Sequence, residues 1–113
     1  MILFLRRLFL AILITIVSAT AWASFHVSLA DGGPLLLSQP WGVATLFDTY
    51  LAFLTFYVWL CYKERSLIAR VIWFVLVMTL GNIAMSFYVL MHLFRLPLDA
   101  RIEDLLLRRE KTV

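Results

Sequence analysis

Charge, cysteine and chain-breaking residues are all scarce in this 113-residue chain, and each scarcity closes off a class of protein. Charged residues make up 15% of the sequence, against about 25% in soluble domains. The one cysteine, Cys61, leaves no internal disulfide and no structural zinc site built from thiolates. Prolines number three and glycines four, and 28–40 is the only loop-like stretch of any length. Acidic residues are fewer than basic ones, seven against ten, for a net charge of +3. The basic residues form no stripe on a water-facing element, so nucleic-acid binding has no support. There is no nucleophile–base pair, no glycine-rich phosphate loop and no paired-carboxylate site. The chain is therefore expected not to be an enzyme and to need no cofactor. Its length allows a single domain, 1–113.

What the chain does have is apolar length. Hydrophobic residues make up 64% and aromatic residues 15%, and mean hydropathy is +0.95. About 20 apolar residues at 1.5 Å rise span a hydrocarbon core of about 30 Å. Three stretches reach that length: 5–27, 41–62 and 71–94. The sequence predicts an all-α transmembrane fold of three helices in the lipid bilayer, of bacterial inner-membrane or plasma-membrane type. The last two runs are joined by Lys63-Glu64-Arg65-Ser66, a turn short enough to force an antiparallel helical hairpin.

The first run has two readings. Arg6-Arg7, an apolar middle and Ala21-Trp22-Ala23 describe a secretory signal peptide, whose removal would leave two spans. Ala11, Thr15, Ala19 and Ala23 recur at the spacing of a span that packs closely on other helices, and the retained span is the preferred reading. Between 28 and 40, Asp31-Gly32-Gly33-Pro34 is turn chemistry, and Leu35-Leu36-Leu37 would rest on the membrane surface. The tail, 98–111, reads as a short amphipathic helix capped by Asp99, with Leu98, Ile102, Leu105 and Leu106 on one face. That face would lie on lipid or dock a partner.

Orientation follows from the arginines and lysines. Arg6 and Arg7 precede the first span and Lys63, Arg65 and Arg70 surround the second turn, while 28–40 carries none. The positive-inside rule places the N-terminus and the 63–70 turn in the cytoplasm. Three spans would then put Arg95, Arg101, Arg108, Arg109 and Lys111 outside, against the same rule.

Asp48 is the first residue with chemical weight. A carboxylate at the centre of a span costs about 2.5–3.5 kcal/mol, so it usually faces other helices or water. By residue count Asp48 lies roughly 21 Å above the inner boundary and Asn82 roughly 18 Å. Asp48 shares its face with Ala44, Ala52 and Thr55, and Asn82 shares its face with Met78 and Ser86. These faces are expected to meet, with the Asn82 amide donating to the Asp48 carboxyl. The pair is either a polar clamp that sets the hairpin's register or a proton or ligand site. His26 and His92 would both lie near the outer boundary but lack ligand spacing, so neither metal nor haem is expected. Cys61 reads as a passive thiol, with palmitoylation as the alternative. Trp41, Trp59, Tyr62, Trp73, Tyr88 and Phe94 fall toward span ends and read as interfacial anchors.

The segments Trp41…Thr45-Leu46-Phe47-Asp48…Tyr50, Trp59…Tyr62-Lys63-Glu64…Ser66 and Trp73…Gly81…Tyr88-Val89-Leu90…Leu93-Phe94 resemble an uncharacterised family of small plant and bacterial integral membrane proteins. That family carries a domain of unknown function. The resemblance covers about 38–96 and is most specific in the Trp-x-x-Tyr-Lys-Glu turn. It implies a shared hairpin to which Asp48 and Tyr62-Lys63-Glu64 belong, and it implies no activity. Tyr62, Lys63, Glu64 and Arg65 then read either as a charged helix–helix turn or as a contact for an anionic lipid headgroup or a partner. The function expected is that of an accessory or structural subunit of a membrane complex. The alternative is a homo-oligomeric channel or carrier that uses Asp48 as its intramembrane site.

Overall fold

The computed structural model describes residues 1–108, and all regular structure among them is helical. The helices are α1 (Ile2–His26), α2 (Leu29–Leu37), α3 (Pro40–Lys63), α4 (Leu67–Leu80), α5 (Asn82–Arg95) and α6 (Ile102–Leu106). α1 and α3 are long and apolar enough to cross a membrane. Pro40 opens α3 in its first turn, where a missing backbone N–H leaves no bond unmade. Ser28 and Ser66 cap α2 and α4, their hydroxyls accepting from the Asp31 N–H at 3.2 Å and the Ala69 N–H at 3.3 Å.

Two expectations are corrected at once. The 28–40 stretch is a helix rather than a loop, because Ser28 satisfies its first turn and Asp31 sits at its positive end. α2 then lies so close to α3 that a Cβ at Gly42 would collide with the Leu36 carbonyl oxygen.

The larger correction concerns 71–94, which is not one span. Gly81 takes φ +57° and ψ −123°, a conformation open essentially to glycine alone. The ring of Phe53 lies over it, and a Cβ at this position would come within 2.5 Å of Phe53 Cζ. The chain turns back here. Trp73 and Tyr88, on either side of Gly81, meet edge to face with ring centroids 4.8 Å apart. α4 and α5 have 14 residues each, about 21 Å of helix, which falls short of a hydrocarbon core of about 30 Å. Two long helices and a doubled-back half-length pair therefore replace the three-helix arrangement.

This fold returns the end of α5 to the place where α1 begins and α3 ends. Arg6 at the start of α1 donates to the backbone carbonyls of Leu93 (Nε, 3.2 Å) and Leu96 (Nη2, 2.7 Å), joining the Leu96 N–H on the first of them at the end of α5. Its guanidinium also stacks over the Phe94 ring at 4.9 Å. The tail shares this end, the base of the molecule, so Arg95, Arg101 and Arg108 join Arg6, Lys63 and Arg65. The expected conflict between the tail and the basic turn disappears.

α6 is shorter than the predicted tail helix, and Arg109, Glu110 and Lys111 lie outside the described residues. Its start is fixed by Asp104, whose carboxylate accepts from the Arg101 N–H at 3.0 Å, in place of a cap by Asp99. Ile102 and Leu105 pack with Ile2, Val89 and Leu93, while Leu98 and Leu106 stay exposed. Half of the expected apolar face of the tail is thus spent on the protein itself.

The core occupies the lower half. Phe53, Leu60, Val77, Ala84 and Tyr88 form one buried cluster, and Ile2, Val89, Leu93 and Leu105 form another. Above Gly81, α1 and α3 flank an open trough of about 310 Å³ between Ile16 and Thr20 on one wall and Leu46, Thr49 and Tyr50 on the other.

Candidate functional site

The four residues expected to form an intramembrane site do not converge. Asp48 is exposed and makes no hydrogen bond or ion pair among the described residues. At about 100° per residue it lies about 200° around α3 from Leu46 and Tyr50, so it points away from the trough. Asn82 is at the trough floor with Gly81, facing Ile16 and Thr20. Ser86 is buried, but its hydroxyl donates to the Asn82 carbonyl of its own helix at 2.6 Å. Thr55 is exposed and likewise donates to the Leu51 carbonyl at 3.0 Å. The Asp48–Asn82 pair fails for a physical reason: the depth count assumes a straight helix, and Gly81 starts a new one aimed at α1.

The Trp-x-x-Tyr-Lys-Glu turn does gather partners. Trp59, Tyr62 and Lys63 stand at i, i+3 and i+4, hence on one face of α3, and all three hold the tail. The Trp59 Nε1–H donates to the Leu106 carbonyl at 2.8 Å. Lys63 Nζ donates to the Leu107 carbonyl at 2.7 Å. Arg108 answers from the tail, its Nε donating to the Tyr62 carbonyl at 2.6 Å and its backbone N–H to the Tyr62 hydroxyl at 3.2 Å. Its guanidinium lies over the Tyr62 ring at 5.3 Å. Glu64, at the end of α3, turns to the returning helix instead. Its carboxylate accepts from the Tyr88 hydroxyl at 2.7 Å, and His92 Nε2 lies 3.7 Å from the same oxygen. Arg70 Nε donates to the Glu64 carbonyl at 3.0 Å, and the Tyr57 hydroxyl donates to the Arg70 carbonyl at 2.8 Å. The turn is a latch that ties α4, α5 and the tail to the foot of α3.

Tyr88, His92, Arg6 and Arg108 are the residues that sequence reasoning misplaces or passes over. Tyr88 is fully buried beneath Trp59, Phe56 and Trp73 rather than anchored at an interface. His92 belongs to the base, while His26 lies at the far end of α1, its Nδ1 2.8 Å from the Trp22 carbonyl. The two histidines do not share an end. Among the described residues no group of three or more metal-ligating side chains gathers.

Beside the latch opens a cleft of about 540 Å³, bordered by Lys63, Arg65, Ser66, His92, Arg95 and Arg108. Glu64 and Asp104 supply the carboxylates of its described lining. His92 Nε2 is buried without a hydrogen-bond partner.

No curated protein and no solved structure matches the chain. A family model matches it from residue 2 to residue 111, a span that takes in α1 and the tail as well as the hairpin. The chain belongs to the DUF1475 family, proteins of unknown function.

Proposed function

We propose that this protein is a non-enzymatic integral membrane protein that serves as an accessory or structural subunit of a membrane complex, docking the outer wall of α3 against a partner helix. Asp48 carries the reading. It stands roughly 22 Å from the Lys63 end of α3 and roughly 12 Å from the Pro40 end, on a face turned away from the rest of the chain. A carboxylate left facing hydrocarbon is costly, and a partner helix with a hydrogen-bond donor at that depth removes the cost. Ala44, Ala52 and Thr55 beside it are small enough to let a second backbone approach closely.

In this reading α1 and α3 cross the bilayer and the α4–α5 hairpin enters it and turns back at Gly81. The basic base is cytoplasmic by the positive-inside rule, which puts the N-terminus, the 63–70 turn and the tail together. Native mass spectrometry of the protein gently extracted from its own membrane tests the proposal. The expected result is a complex with a different polypeptide, retained in Asp48→Asn and lost in Asp48→Leu. Several identical copies would favour a homo-oligomeric channel or carrier built around Asp48. A bare wild-type monomer would overturn both.

A further inference from the structure

We infer that the basal cleft binds one phosphate-bearing anion, the phosphate of an anionic lipid headgroup or of a soluble phosphate ester. Its cations come from four separate segments: Lys63 from the end of α3, Arg65 from the α3–α4 turn, Arg95 from the end of α5 and Arg108 from beyond α6. Only the Gly81 fold and the latch bring them to one opening. Four positive side chains face two carboxylates there, which leaves a formal charge of +2 on the described lining. Like charges gathered at one mouth repel, and a bound anion relieves that repulsion.

The geometry suits phosphate in particular. Arginine forks recognise phosphate oxygens through paired N–H donors. Arg95 makes no hydrogen bond or ion pair among the described residues, so its fork is available. His92 forms part of the wall, its buried Nε2 3.7 Å from the Glu64 carboxylate. Ser66 marks the positive end of α4, whose dipole favours an anion at the same opening. The volume falls within the range of about 300–1,000 Å³ found for small-molecule sites. The cleft also lies at the foot of two bilayer-length helices, with Leu96 in its wall, the level at which a headgroup would stand. The inference does not depend on the Asp48 partner.

The test uses the full chain in detergent micelles, titrated separately with phosphatidylglycerol, phosphatidylcholine and glycerol 3-phosphate and read by native mass spectrometry. One phosphatidylglycerol per chain is expected, held in preference to phosphatidylcholine and weakened at least tenfold in the double variant Arg65→Gln/Arg95→Gln. Arg95→Gln alone should weaken it at least threefold, which keeps the test alive if the double variant does not fold. Arg101→Gln, an exposed basic position outside the cleft lining, should leave binding unchanged. Saturable binding of glycerol 3-phosphate without the lipid, with the same arginine dependence, would support the site and assign it to a soluble ester. No saturable binding of either probe, or equal loss in Arg101→Gln, would overturn the inference.

Discussion

Below the Gly81 turn α1, α3, α4, α5 and the tail interlock, whereas above it α1 and α3 stand apart with a trough between them. Both halves are rich in apolar residues, so apolar content alone does not explain why one interlocks and the other does not. What differs is the number of helices present at each height and the hydrogen bonds that cross between them. In the base, side chains reach carbonyls of other segments: Arg6 to Leu93 and Leu96, Trp59 to Leu106, Tyr57 to Arg70. In the upper half the polar side chains bond within their own helices, as Thr45 does to Trp41 and His26 to Trp22. In lipid, apolar surface by itself gives helices little reason to associate, and directed polar contacts with close packing supply that reason. The base is self-sufficient on these terms, and the upper half is an unfinished surface.

The contrast can be broken most completely by topology. In a Cys61→Ser background, Leu67→Cys and Arg101→Cys should react with a membrane-impermeant thiol reagent from one side of the membrane and Leu29→Cys from the other. A straight third span would put Arg101 on the side of Leu29, so labelling of that pair together refutes the doubled-back hairpin. The next largest effect is expected from Gly81→Ala. Strain from a positive φ and the clash with the Phe53 ring should together destabilise the base by about 2–5 kcal/mol in denaturant unfolding. Pairing it with Phe53→Ala should remove the clash and leave the strain. Tyr88→Phe is subtler, since it keeps the buried ring and deletes only the bond to the Glu64 carboxylate. A loss of about 1.5–3 kcal/mol is expected, and an unchanged unfolding midpoint would show that the latch does not hold the hairpin.

Much of this architecture was legible in the chain. Run length identified α1 and α3, and Pro40 and the Lys63–Ser66 turn marked the bounds of α3. The fold of 71–94 was not legible by periodicity, because apolar residues continue on both sides of Gly81 and one glycine does not end an apolar helix. Its signal was indirect: Arg95, Arg101 and Arg108 would break the positive-inside rule beyond a straight third span and would satisfy it in the doubled-back chain of the proposed topology. The Asp48–Asn82 pairing inherited the same error through its depth count. The latch was half visible, since Trp59, Tyr62 and Lys63 share a face, but their tail partners are more than 40 positions away. No local pattern links residues so distant.

The Arg6 contact has a consequence for how the chain is made. Arg6 and Leu93 are 87 positions apart, so α1 receives this neighbour only after α2, α3 and α4 have been made. Until α5 arrives, the side of α1 that carries Ile2, Leu5 and Phe9 lacks Val89 and Leu93, the buried residues it packs with. The closure entropy of so long a loop grows only with the logarithm of its length, so the delay costs time more than stability. Assembly of the base therefore waits until α5, with Leu93 and Leu96, has left the ribosome.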